Sequence, residues 1–114
     1  MAIQTTTKKN SMATAYGSDT AYGALFTTAG GSTAGTEVTG GTPAYARKAL
    51  SWSAPVNGVI TAVATFDVPA GTTVKGTGVY TAATGGTYLD GNGVPDAAFT
   101  TQDTVQVTFT ATVS

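Results

Sequence analysis

The sequence of 114 residues contains no histidine and no cysteine, and only 10% of its residues are charged. Without cysteine the chain forms neither disulfides nor thiolate metal sites, which fits synthesis in a reducing cytoplasm. Most enzymes use histidine, cysteine or an acid/base pair with shifted pKa values. The six acidic residues are spread from Asp19 to Asp103 without obvious pairing. We therefore expect no catalytic, cofactor-binding or metal-binding residues, and the composition favours a structural or binding role over an enzyme.

Basic residues are equally scarce, and the net charge is -1. Four of the five basic residues form two isolated pairs, Lys8 with Lys9 and Arg47 with Lys48, and make no stripe that could follow a phosphate backbone. The amino-terminal segment has no apolar region of the secretory type, and no apolar run approaches membrane-spanning length. We expect neither nucleic acid nor a membrane as partner.

Segments rich in valine, threonine, tyrosine and phenylalanine alternate with clusters of glycine, proline, asparagine and aspartate. This pattern is typical of an all-β domain with frequent turns. About six or seven short strands at such spacings predict a single antiparallel β-sandwich, of which a jelly roll is one form. The predicted organisation is an amino-terminal arm over residues 1–9 and one sandwich domain over residues 10–114.

A short helical turn is predicted only between Asn10 and Tyr16. Asn10 or Ser11 would cap it, and Gly17 would end it. Met12, Ala15 and Tyr16 would form its apolar face.

The predicted strands follow from alternation between apolar and polar residues. Ile60, Ala62, Ala64, Phe66 and Val68 are expected to face the core, as are Leu50 and Trp52, while Pro55-Val56-Asn57-Gly58 is expected to form a type I′ turn. The glycine-rich stretch 30–41 is expected to be a long loop. The strands are expected at 22–27, 44–53, 59–68, 73–80, 87–89 and 103–113, and the last alternates valine, phenylalanine and alanine with threonine and glutamine.

The segment from Asp90 to Asp96, which includes Asn92, alternates oxygen-bearing side chains with glycine, as some calcium loops do. It lacks the later bidentate glutamate of an EF-hand, and a tight turn requires the same residue types. The sequence favours the turn and leaves open whether Asp90, Asn92 and Asp96 bind an ion.

Arg47 lies among apolar residues in the sequence, which leaves two locations for its side chain in the fold. It is either a surface residue over a sheet edge, which the sequence favours, or a buried residue that needs a carboxylate partner such as Glu37. Tyr45, Tyr80 and Tyr88 present a similar alternative, because exposed aromatics indicate glycan or protein contact and buried ones belong to the core. For Trp52 we expect the core.

Four segments occur together in an order that resembles small virion proteins of tailed bacteriophages, most often phages of actinobacteria. The resemblance spans roughly Lys8 to Leu89. The segments are Glu37-Val38-Thr39-Gly40-Gly41, Tyr45-Ala46-Arg47 through Trp52, Phe66-Asp67-Val68-Pro69-Ala70-Gly71-Thr72-Thr73-Val74 and Gly78-Val79-Tyr80-Thr81-Ala82-Ala83-Thr84-Gly85-Gly86.

The resemblance implies a non-enzymatic component of the virion, of the kind described as tail fibre, minor tail or head surface proteins. The chain shows none of the repeats or heptads of a fibre shaft, so we expect a capsid decoration protein, made in the host cytoplasm and bound to the major capsid protein as a homotrimer. A minor tail or tail-fibre protein that contributes to host attachment is the alternative. The segment 5–10 and the loop 29–42 are the expected contacts with neighbouring subunits.

Overall fold

Two antiparallel sheets of unequal width pack face to face in the computed structural model, which describes residues 3–113. One sheet has four strands in the order β2-β1-β4-β5, and the other consists of β3 and β6. The described elements are α1 (Thr6–Asp19), β1 (Tyr22–Phe26), β2 (Lys48–Ala49), β3 (Val59–Val68), β4 (Thr72–Tyr80), β5 (Tyr88–Phe99) and β6 (Asp103–Thr112). The predicted all-β fold with a short amino-terminal helix is confirmed, although the six strands in residues 3–113 are fewer than the eight of a jelly roll.

The strand β3 begins directly after a two-residue turn. Asn57 and Gly58 have φ angles of 51° and 77°, the left-handed conformation that a type I′ turn requires at both positions. Val56 and Val59 exchange two backbone hydrogen bonds of 3.0 Å across this turn. The predicted core face of β3 is confirmed, since all five of its residues are buried: Ile60, Ala62, Ala64, Phe66 and Val68.

The core lies between the two sheets and is centred on Phe66, which is fully buried. The ring of Phe66 is stacked against Tyr45 at 6.3 Å between centroids and contacts Phe109 at 6.2 Å. Leu25 from β1 and Val79 from β4 complete this contact from the opposite sheet. Each side chain of this kind stabilises the fold by about 2 kcal/mol through burial alone.

The helix is longer than the sequence predicted. It begins after Thr5, whose hydroxyl accepts a 3.2 Å hydrogen bond from the Lys8 amide, so residues 6–9 of the predicted arm belong to it. It ends at Asp19 and is capped by Thr20, whose amide and hydroxyl both donate to the Tyr16 carbonyl. Asn10 is therefore not the cap. Its side chain accepts a 2.8 Å bond from the Gly58 amide and joins the helix to the β3 turn.

Gly17 does not end the helix but lies inside it, where it has a packing role. A Cβ at this position would lie 3.1 Å from the Ile60 side chain and 3.2 Å from the Trp52 ring. The predicted apolar face is confirmed only for Tyr16, which is half-buried and packs against the core. Ala15 is exposed and Met12 is 40% exposed, whereas the buried helix residue is Ala13. The helix thus approaches the inner face of β3 along its small residues.

Of the predicted strand 44–53, only Lys48–Ala49 form a strand, and these two residues pair with Gly23 and Tyr22 of β1. Further along β1 the Leu25 amide donates to the Tyr45 hydroxyl at 3.0 Å, so a side chain replaces the neighbouring strand. Leu50 and Trp52 are half-buried and pack against the core, as their predicted orientation requires. The Trp52 indole N–H donates to the Thr20 carbonyl at 2.9 Å.

Replacing Phe66 by alanine is expected to lower the free energy of unfolding by about 4 kcal/mol, because the cavity lies between two packed sheets. Val63→Ala on the same strand is the matched control, since Val63 is 51% exposed and points outward. It is expected to cost less than about 1 kcal/mol. Urea unfolding of both variants measures the difference, and equal losses would contradict the assigned orientation of β3.

Candidate functional site

The tyrosines do not form an exposed platform on the outer face of the four-stranded sheet. Tyr80 is 7% exposed and packs edge-on against Tyr88 at 5.6 Å, with Phe26 6.0 Å from Tyr88. Glycines beneath them leave the necessary space, because a Cβ on Gly78 would lie 2.5 Å from the Phe26 ring. The Tyr88 hydroxyl donates to the Gly31 carbonyl at 2.7 Å and fixes the predicted loop over this cluster.

Arg47 is largely buried, with 10% of its side chain exposed, so the structure supports the alternative that the sequence disfavoured. Its Nε and Nη2 donate to the two carboxylate oxygens of Glu37 at 3.0 and 2.9 Å. Its Nη1 donates to the carbonyls of Ala82 and Gly85 at 3.0 and 2.8 Å. The guanidinium carbon lies 3.5 Å from the centre of the Tyr80 ring, within range of a cation–π contact.

These contacts join the loop around Glu37, the segment before β2 and the turn between β4 and β5 into one unit. The bond to Glu37 is the main reason why the pKa of Arg47 is raised. The same carboxylate accepts a 2.7 Å hydrogen bond from the Tyr45 hydroxyl. Burial raises the pKa of Tyr45 far above its ordinary value, and Glu37 adds to the shift, while the Leu25 amide acts in the opposite direction. We interpret this buried network as structural, because its polar groups bond to one another.

The segment from Asp90 to Asp96 is part of strand β5, so the predicted turn is wrong. Its glycines pair with glycines of β4, and the β4–β5 pairing is interrupted by irregularities between Val74 and Gly76 and between Val79 and Tyr80. The Asp90 carboxylate accepts a 3.1 Å bond from the Tyr16 hydroxyl, and the Asp96 carboxylate lies 3.9 Å from Lys75 Nζ. Within residues 3–113 no three acidic, histidine or cysteine side chains gather closely enough to hold a metal ion.

The remaining candidate is the side of the sandwich where β5 and β6 lie, which we call the open side. The two paired strands of the narrow sheet differ sharply in burial, although the inner faces of both point towards the core. Phe66 and Ala64 on β3 are 0% and 7% exposed, whereas their partners Val105 and Val107 on β6 are only half-buried. Half-buried apolar residues on β5, including Phe99, border the core at the same side. The narrow sheet is therefore too narrow to cover its four-stranded neighbour.

The outer edge of β6 carries unpaired backbone groups. The Val113 amide donates to the Gly58 carbonyl, so the odd-numbered residues of β6 bond towards β3. Because hydrogen-bonding direction alternates along a strand, the N–H and C=O groups of the even-numbered residues point away from β3. Among residues 3–113 no strand pairs with this edge. The residues whose N–H and C=O groups point away from β3 are Thr104, Gln106, Thr108, Thr110 and Thr112.

The free edges of β5 and β6 are protected to different degrees against pairing with another strand. Strand β5 contains Pro95, two glycines and two aspartates and pairs irregularly with β4, and all of these features hinder the addition of another strand. Strand β6 contains neither proline nor glycine, and its only charged residue is Asp103 at its first position. The edge of β6 is thus suited to pairing with another chain.

A groove of about 330 Å³ runs beside this edge and reaches the inner face of the four-stranded sheet. Asp90 and the Tyr16 hydroxyl lie at its wall, and Val79 and Thr77 belong to its lining. The phenol is half-buried, and burial, followed by the Asp90 charge, raises the pKa of Tyr16 well above its ordinary value. The groove therefore presents a carboxylate and neutral polar groups. Its main lining residues are Tyr16, Thr77, Val79, Asp90, Asn92 and Thr110.

Sequence reasoning did not identify the open side as a site. Its signal was present in the strict alternation of β6, which predicted a half-buried strand without indicating that its far edge lacks a neighbour. Strand order is set by long-range pairing, which alternation within one segment does not encode.

Comparison with known proteins found no match to a family model, to a curated protein or to a solved structure. Helix α1 is not long and apolar enough to span a membrane, and residues 3–113 contain no other helix.

Replacing Arg47 by alanine is expected to lower the free energy of unfolding by about 3 kcal/mol, because it leaves the Glu37 carboxylate without its main partner. Lys48→Ala is the matched control. Lys48 Nζ lies 4.0 Å from Asp67 and its side chain is 39% exposed, so the loss is expected to be about 0.5 kcal/mol. Similar losses in urea unfolding would contradict the central role of Arg47.

Stability is expected to fall as the pH rises above about 10, the ordinary pKa of tyrosine. The unfolded chain releases the Tyr45 proton there while the folded chain retains it, because the folded pKa is raised, so unfolding becomes easier with increasing pH. One such group contributes at most about 1.4 kcal/mol per pH unit. Urea midpoints measured from neutral to alkaline pH should fall less steeply for Tyr45→Phe than for the unchanged protein, and identical slopes would contradict this assignment.

Proposed function

We propose that this protein is a non-enzymatic structural protein of a tailed bacteriophage virion, and that it decorates the capsid. In this proposal it is made in the host cytoplasm, binds the major capsid protein on the head surface and stabilises the shell. The observation that carries a structural role is the open side, where a half-covered core lies beside an unprotected strand edge. Soluble monomers protect such edges, so this one is suited to assembly.

The surface composition also supports assembly. The outer face of the β3–β6 sheet is dominated by threonine, whose branched side chain loses little entropy when a neighbour covers it. Stabilisation of the shell would follow from mass action, because a protein that binds only the assembled lattice shifts the equilibrium towards it. Three copies around a symmetry axis would each present the same surface to the shell.

The proposed alternative is a minor tail or tail-fibre component that contributes to host attachment. The dimensions of 47 × 23 × 22 Å describe an elongated module, which suits a projecting tail element as well as a projection from the head. Glycan recognition by a tyrosine platform receives no support, since Tyr80 and Tyr88 pack against each other.

Electron cryo-microscopy of the native particle is expected to place this chain at symmetry axes of the capsid. Particles grown without the chain should lose infectivity at a lower temperature, and purified protein added back should restore their resistance, because binding stabilises the assembled shell. The control for unrelated assembly defects is that particles without the chain keep intact heads and adsorb normally to host cells. Density confined to the tail would overturn decoration and support the alternative.

A further inference from the structure

We propose that the open side binds an extended, basic segment of a partner protein, which pairs with the edge of β6 as an additional strand. This inference deepens the proposed function, because it states how the chain would hold its neighbour in the virion. It rests on the geometry of β6, the uncovered core beside it and the charge of the groove.

The two sheets differ in their number of strands. The four-stranded sheet faces a sheet of only two. Five of the half-buried apolar residues that pack against the core lie on β5 and β6, namely Val94, Ala97, Phe99, Val105 and Val107. A strand added to β6 would lie over the inner face of the wider sheet and cover Val105 and Val107. Since sheets in a sandwich pack about 10 Å apart, side chains from the added strand fill the space between them.

The backbone groups at the edge of β6 point in a direction that allows strand addition. The amide of Thr104 already bonds to the Asp103 carboxylate at 2.8 Å, which closes the first position of the edge. From Gln106 to Thr112 the alternate residues direct their N–H and C=O groups away from β3. Strand addition uses these groups for affinity, and alternate side chains of the added segment give specificity.

The charge of the open side favours a basic partner segment. Lys75 of β4 lies 3.9 Å from the Asp96 carboxylate and offsets its charge. Strands β5 and β6 themselves contain Asp90, Asp96 and Asp103 but no lysine or arginine. Of these, Asp90 lies in the wall of the groove beside the edge. A partner segment with apolar residues on one side and lysine or arginine near Asp90 therefore complements the site, and an acidic segment is repelled. A second copy of β6 would bring no basic residue to this position, which is why we infer a different segment.

The test uses the full chain and two fluorescent peptides of about ten residues, a length that matches β6. One alternates valine with threonine and carries two lysines, and the other has glutamate in their place. Fluorescence anisotropy is expected to show that the lysine peptide binds about fivefold more tightly than the glutamate peptide. Equal affinity, or no binding by either peptide, would overturn the proposal.

Two variants locate the binding site. Thr108→Pro removes an outward-pointing N–H at an edge where proline is tolerated, and is expected to weaken binding by about tenfold. Thr108→Ala keeps that N–H and should bind as the unchanged protein does. Asp90→Asn should reduce the difference between the two peptides without disturbing the strand, and it remains informative if the proline variant fails to fold. Binding unaffected by both Thr108→Pro and Asp90→Asn would overturn the proposal.

The same variants separate this inference from the proposed function. If the chain decorates capsids and Thr108→Pro decorates them equally well, strand addition is wrong while decoration stands. If the lysine peptide binds as expected but the chain does not associate with heads, decoration is wrong while strand addition stands. Sedimentation that finds dimers of the unchanged protein but not of Thr108→Pro would identify a second copy as the occupant and overturn the proposed partner.

Discussion

The ion pair between Arg47 and Glu37 is the interaction on which the long connections of this fold depend. More than a third of the described chain lies outside helices and strands, and such segments order only where polar groups find partners. A guanidinium offers donors in several directions, and here they reach one carboxylate and two carbonyls from different parts of the chain. Lysine has one cationic nitrogen on a flexible stem and would not hold these partners in the same geometry.

That network explains why the wider sheet keeps its shape although β2 has only two residues. Beyond β2 the edge of β1 is satisfied by the Tyr45 hydroxyl and by the Val38 amide, which donates to the Leu25 carbonyl at 3.1 Å. The edge on this side is thus closed by a loop with side-chain hydrogen bonds. On the opposite side no comparable loop covers β6 within residues 3–113, so the two sides of the sandwich differ in their capacity to bind a neighbour.

Sequence patterns predicted the parts of the fold that depend on local alternation. The orientations of β3 and β6 and the Asn57-Gly58 turn follow from residue types within one segment. The residues around Asp90 were predicted wrongly because glycine in a strand looks like a turn unless its cross-strand partner is known. Arg47 was placed wrongly for a related reason. Its partners are distant in the chain, and local sequence does not reveal which carbonyls approach a side chain.

The pairing of β3 with β6 also constrains the order in which the chain can fold. The whole β4–β5 hairpin lies between these strands in the sequence, so the narrow sheet closes a long loop, whereas β4 and β5 are joined by a short turn. Loop closure costs entropy before distant contacts repay it, and folds dominated by distant strand pairs form slowly. The β4–β5 hairpin can therefore form before β3 pairs with β6. Until β6 has paired with β3, the apolar face of β3 is accessible to chaperones and to other nascent chains. Efficient production of this domain therefore depends on how quickly the two strands pair.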